Sequence, residues 1–178
     1  ELGNGRCHGG RRRQHMDAAR LRVSIIDVRL PVRLDVDDRL EFVRRADERA
    51  GIWKKFDAAF ATPDPRERFR ACLAAWFDFV PYIYPVASDL IRLRATDEEA
   101  AAAWDDRMDD LRRAFRQLIR GLDKAGELAS HWSVAKAADF LWAGSSVESW
   151  GLLTRDCSWS EGHAAKTITA ALERALLR

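Results

Sequence analysis

Six apolar side chains, Trp104, Met108, Leu111, Phe115, Leu118 and Leu122, recur alternately four and three residues apart. Only a helix brings such positions onto one continuous seam, because its turn of 3.6 residues lies between those two spacings. The same spacing recurs on both sides of the seam. Leu40, Val43, Ala46, Ala50, Trp53, Phe56 and Phe60 form a stripe from Asp38 to about Ala61, with a weak point at Gly51. Phe69, Cys72, Leu73, Trp76, Phe77 and Val80 form another after Thr62-Pro63-Asp64-Pro65, where Pro65 suits a first helical turn. Pro81 and Pro85 are expected to break or kink the chain around Tyr82-Ile83-Tyr84, leaving a short helix over Val86 to Leu93. Thr96-Asp97-Glu98-Glu99 reads as a capping box that opens the seam helix, and Gly121 and Gly126 mark its end.

Ser133 is placed to cap the next helix, with Val134, Ala138, Leu141, Ser145 and Leu152 on one face of a run from Val134 to Thr154. Ser160 with Glu161 starts the last one, with Ala164, Ile168, Leu172, Ala175 and Leu176 inward. No repeat of fixed period is present. The expected fold class is therefore all-α: a bundle of about six helices over residues 38–178, joined by short connections.

Residues 1–37 read differently. Glycines and the run Arg11-Arg12-Arg13 lead into Asp27-Val28-Arg29-Leu30-Pro31-Val32-Arg33-Leu34, which alternates like a strand but has no hairpin partner. Residues 1–34 hold eight arginines against Glu1, Asp17 and Asp27, while the rest holds 22 basic and 25 acidic residues. A basic arm on a slightly acidic body suits a polyanion such as nucleic acid, and equally a solvated tail. No apolar run approaches the roughly 20 residues that cross a bilayer. Cys7, Cys72 and Cys157 are odd in number and widely spaced, which suits a reducing cytosol rather than a disulfide scaffold.

Catalytic and metal signatures are not readable. There is no Gly-rich phosphate loop, no G-x-S-x-G elbow and no H-E-x-x-H, so an enzyme is not expected. His8, His15, His131 and His163 do not pair at ligand spacing, and Cys7-His8 is a coincidence of neighbours. Asp105-Asp106 and Asp109-Asp110 lack the Glu-x-x-His partners of a bundle metal site and read as a solvated face. Neither a metal nor a cofactor is expected.

The seven tryptophans carry the functional signal. Trp is bulky and its N–H wants a partner when buried. One reading is plain core. The other is the wall of an apolar ligand pocket, with Trp76, Phe77 and Val80 from one helix facing Trp104, Met108 and Leu111. In that reading Leu141, Trp142 and Ser145 close the third side, and the proline-flanked segment with Tyr84 is the entrance. The last two helices are apolar or small on two faces, which points to a symmetric pairing of subunits. The interface expected there comprises Val147, Trp150, Ala164, Ile168, Ala171, Leu172 and Ala175.

The stretch His131-Trp132-Ser133-Val134-Ala135-Lys136-Ala137-Ala138-Asp139-Phe140-Leu141-Trp142-Ala143, then Ser146 to Arg155, then Trp159-Ser160, resembles the sensing and dimerisation domain of the TetR family of transcriptional regulators. That family shows an A-A-D-x-L-W-A-like helix, a W/Y-x-L-L-x-R end, a G-W-S-like turn and a closing helix with paired leucines. Thr62-Pro63-Asp64-Pro65-Arg66-Glu67-Arg68 resembles its D-P-R-like link. The resemblance covers about residues 38–178. It implies a helical body, an internal site for a small apolar or amphipathic effector, and a homodimer formed through the last two helices. The family's helix-turn-helix, of the form A-x-x-A-G-V-S-x-x-T-x-Y-x-x-F-x-S-K, has no counterpart in residues 1–34. The arm is then a degraded, truncated or frame-shifted form of that unit, and DNA contact through it is expected to be weak and salt-sensitive. The alternative is a helical ligand-binding or interaction protein without a DNA-binding role.

Overall fold

The computed structural model describes residues 51–178. The basic arm, the strand-like segment and the stripe from Leu40 to Ala50 lie outside the described residues. Every regular element described is helical, and one isolated antiparallel bridge joins Leu128 to Leu177. The fold class is all-α. None of the described helices is long and apolar enough to cross a membrane.

Helix α1 spans Ile52–Ala61 and starts at Gly51, whose φ of 58° lies in the left-handed region. Glycine enters that region without the Cβ clash that other residues meet, so the weak point in the expected run is a true start. Helix α2 spans Pro65–Leu93. Asp64 caps it by accepting from the Glu67 N–H at 2.8 Å, and Pro65 occupies the first turn, where its missing N–H costs nothing.

The expected break at Pro81 and Pro85 does not occur: both prolines lie inside α2. Each removes one i→i−4 bond, from the carbonyls of Phe77 and Pro81, and their spacing of four puts both losses on one face. Burial on either side outweighs them. Phe77, Phe79 and Val80 precede the pair and Ala87 and Leu90 follow it, all buried in the same core.

Helix α3 spans Glu98–Lys124. Its cap is Asp97, which accepts from the Ala100 N–H at 2.9 Å, and not Thr96. The Thr96 hydroxyl is turned back to the Leu93 carbonyl at 3.3 Å, at the end of α2. The carboxylate one residue later is the better acceptor at a helix N-terminus. The seam is buried at Trp104, Leu111, Phe115, Leu118 and Leu122 and half-buried at Met108. Gly121 lies within α3, and the chain turns at Gly126 with φ 74°.

Helix α4 spans Val134–Gly144, capped by Ser133. The single helix expected to Thr154 is interrupted at Ser145-Ser146. Ser145 has left helical geometry, and extended Ser146 caps helix α5, Val147–Gly151, accepting from the Ser149 N–H at 3.1 Å. Serine hydroxyls that bond the local backbone compete with helix continuation in this way. A π turn, Leu152–Asp156, continues α5. After the break Leu152 no longer shares a face with Leu141: it is 60% exposed, whereas Leu141 is fully buried. Helix α6 spans Glu161–Leu176, capped by Ser160.

Helix α2 touches α1, α3, α5 and α6, and α4 lies between α3 and α6. The end of α6 is tied down: Ala129 N–H donates to Leu176 O at 2.8 Å and Arg178 N–H to Glu127 O at 3.0 Å. Arg66, at the start of α2, holds the Glu127 carboxylate at 2.5 Å and also donates to the Arg178 carbonyl.

Two glycines test this packing. A Cβ at Gly151 would lie 2.6 Å from Cε2 and 2.7 Å from the hydroxyl oxygen of Tyr84, a ring held against Trp150. At Gly144 it would meet only the Leu172 methyl end at 2.8 Å, which can rotate away. Gly151→Ala is expected to lose about 1–2 kcal/mol by overpacking. Gly144→Ala should stay within about 1 kcal/mol of the parent, since the gain in helix propensity offsets the crowding. Urea unfolding of the two variants measures the difference; equal stabilities would contradict the packing described.

Candidate functional site

The residues expected to wall a pocket divide by environment. Trp76, Phe77, Val80, Trp104, Leu111, Leu141 and Ser145 are buried in one continuous core, while Tyr84, Met108 and Trp142 are half-buried against it. Trp76 stands at the centre. Its ring packs on Phe79 and Phe115 at 6.3 and 6.4 Å, and its N–H donates to the Ser145 carbonyl at 2.7 Å. The Ser145 hydroxyl donates in turn to the Leu141 carbonyl at 2.7 Å. The polar groups of two residues on the expected pocket wall, the Trp76 N–H and the Ser145 hydroxyl, are thus engaged within the chain.

Tyr84 and Trp142 belong to two other clusters. Tyr84 packs on Trp150 at 5.2 Å between ring centres, and the Arg155 guanidinium lies 5.3 Å from both rings. Trp142, on α4, carries the Arg112 guanidinium of α3 at 3.9 Å from its ring centre. The indole N–H groups of Trp142 and Trp150, and the Arg112 Nε–H, are screened from solvent and have no hydrogen-bond acceptor. Such groups carry a desolvation penalty of about 1–3 kcal/mol each. By contrast the half-buried Trp132 donates to the Ala175 carbonyl at 2.7 Å.

Arg112 and Arg155 did not stand out in the sequence, where an arginine beside an apolar stripe is indistinguishable from a solvated one. The readable signal for Arg112 was its place one turn after Met108, on the edge of the seam.

Of the residues assigned to a subunit interface, Val147, Trp150, Ala164, Ile168 and Leu172 are buried within the single chain. Ala171 is exposed and Ala175 half-buried. The closeness that small residues permit is used between α4 and α6, where Gly144 faces Leu172. The acidic stretch of α3 is paired locally, Asp106 with Arg107 at 3.2 Å and Asp110 with Arg113. Among the described residues no group of three or more His, Cys, Asp and Glu is placed to hold a metal ion. His131 and His163 are exposed, each beside a tryptophan, Trp132 and Trp159.

Comparison with protein-family models, with curated proteins and with solved structures finds no match in any of the three.

Cys72 is buried on α2, and burial pushes its thiol up to about 12, with the Arg68 charge pulling weakly the other way. An unfolded thiol ionises near 9.0, so the unfolded state sheds its proton first as pH rises. The stability that Cys72 contributes by staying neutral is therefore present below about pH 9 and declines from there towards pH 12. Native alkylation at pH 8 followed by peptide mass mapping should find Cys157 modified and Cys72 intact; rapid labelling of Cys72 would contradict its burial. Trp76→Phe leaves the Ser145 carbonyl without its donor. It should cost at least about 1–3 kcal/mol in chemical unfolding, and a neutral result would deny that bond a structural role.

Proposed function

We propose that this chain is the effector-sensing, dimer-forming body of a TetR-like transcriptional regulator. The observation that carries the reading is the pair of solvent-screened indole N–H groups, on Trp142 and Trp150, that no acceptor satisfies. Buried tryptophans in a finished core find acceptors, as Trp76 does here. Donors left open, one of them on Trp150 beside half-buried Tyr84, are what a bound small molecule with an acceptor would complete. The sequence resemblance over residues 38–178 supports the regulatory part of the reading. Dimerisation would use the outward surface of α6 at Ala171, together with the exposed side chains Phe140 and Leu152.

A thermal-shift screen of apolar and amphipathic small molecules tests the sensor. A ligand at a hundredfold excess over its Kd adds about 2.7 kcal/mol, or roughly 5–10 °C in Tm for a chain of this size. The absence of any shift across a broad panel would remove the sensor. Light scattering should give twice the 20.3 kDa chain mass, and Ala171→Glu should halve it without unfolding the protein, because residue 171 is exposed in the single chain.

A further inference from the structure

We propose that the Arg112–Trp142 stack is the acid-binding end of the effector site and takes the carboxylate of an amphipathic organic acid; this rests on the sensor reading above. The guanidinium carbon of Arg112 sits 3.9 Å from the centre of the Trp142 ring, a contact that engages the π face of the indole. It leaves the N–H edges unengaged. Arg112 Nε and Trp142 Nε1 are both screened from solvent and both lack an acceptor, on groups in direct contact.

Arg112 lacks the local ion-pair partner that two other arginines of α3 have. Arg113 pairs with Asp110 and Arg107 with Asp106, whereas no carboxylate lies within 4 Å of Arg112 among the described residues. A guanidinium partly withdrawn from water without a direct ion-pair partner is a costly arrangement, and an incoming anion relieves it. One cation beside one neutral donor matches a singly charged two-oxygen acceptor better than a phosphate dianion. Met108, one turn earlier on α3, is half-buried against the core, and its flexible thioether adapts to an apolar tail. The ligand class is thus a monocarboxylate with an aliphatic or aromatic body.

The test is calorimetric titration of octanoate and of its uncharged counterpart 1-octanol into the parent protein, R112Q, R112K and W142F, with circular dichroism verifying the fold of each. Octanoate should bind the parent protein. R112Q should weaken it roughly tenfold or more, the loss expected for a charge-assisted bond, with octanol affinity unchanged. W142F keeps a ring for the stack but removes its N–H, and should weaken octanoate several-fold. R112K, which retains charge without the guanidinium fork, should fall between the parent and R112Q. Octanoate affinity unchanged in R112Q and W142F would overturn the assignment of the acid end while leaving the sensor standing. Failure of octanoate alone to bind the parent, with octanol binding, would do the same. Failure of both probes would overturn the acid end, and the wider thermal-shift panel then decides the sensor separately.

Discussion

The hydrogen bond from the Trp76 indole to the Ser145 carbonyl joins α2 to the interruption between α4 and α5. A helix end leaves carbonyls without intrahelical donors, and Ser145 presents one in the core, where water cannot serve it. Trp76 supplies the donor from α2, and the Ser145 hydroxyl satisfies Leu141 from the same spot. With the interruption fixed there, α5 starts at a new angle: Val147 and Trp150 turn inward and Leu152 turns out. The placement of Tyr84 against Trp150 and Gly151 follows from the same change of direction.

Much of the helical pattern was legible because periodicity reports burial directly. The α3 seam, the Asp64-Pro65 start, the Ser133 cap and the Ser160 start all follow from side chains acting on their own neighbourhood. Three readings were overruled by competing partners or by burial. Pro81 and Pro85 carry a strong local penalty, yet the buried residues flanking them hold α2 together. Thr96 and Asp97 are both credible caps, and the carboxylate prevailed once the threonine hydroxyl was drawn to Leu93. The apolar run through Gly144 and Val147 reads as one helix because serine disrupts a helix only when both its hydroxyl and its backbone find other partners.

The candidate site was legible as a set of inward positions but not as a set of contacts. Stripes identify which residues leave water; they do not say which way an indole N–H points. So Trp76, expected to serve a ligand, serves the backbone, while Trp150, expected to face a second subunit, is enclosed in the chain with its N–H open. The arginines over Trp142 and Trp150 were hard to single out for a related reason, since long charged side chains lie over aromatic surface from positions that look solvated in sequence.

The two prolines also make α2, the longest of the described helices, mechanically uneven. The carbonyls of Phe77 and Pro81 lack their usual donors on one side of the rod, so bending stiffness is lowest along that side. Above the soft stretch, Phe69, Leu73 and Trp76 are locked in the core; below it, Ala87 and Leu90 anchor the remainder. Bending of α2 is least resisted around Tyr82 and Tyr84, where the two donors are missing. Tyr84, stacked on Trp150, would carry such a flexing motion into α5 as a lever carries a push.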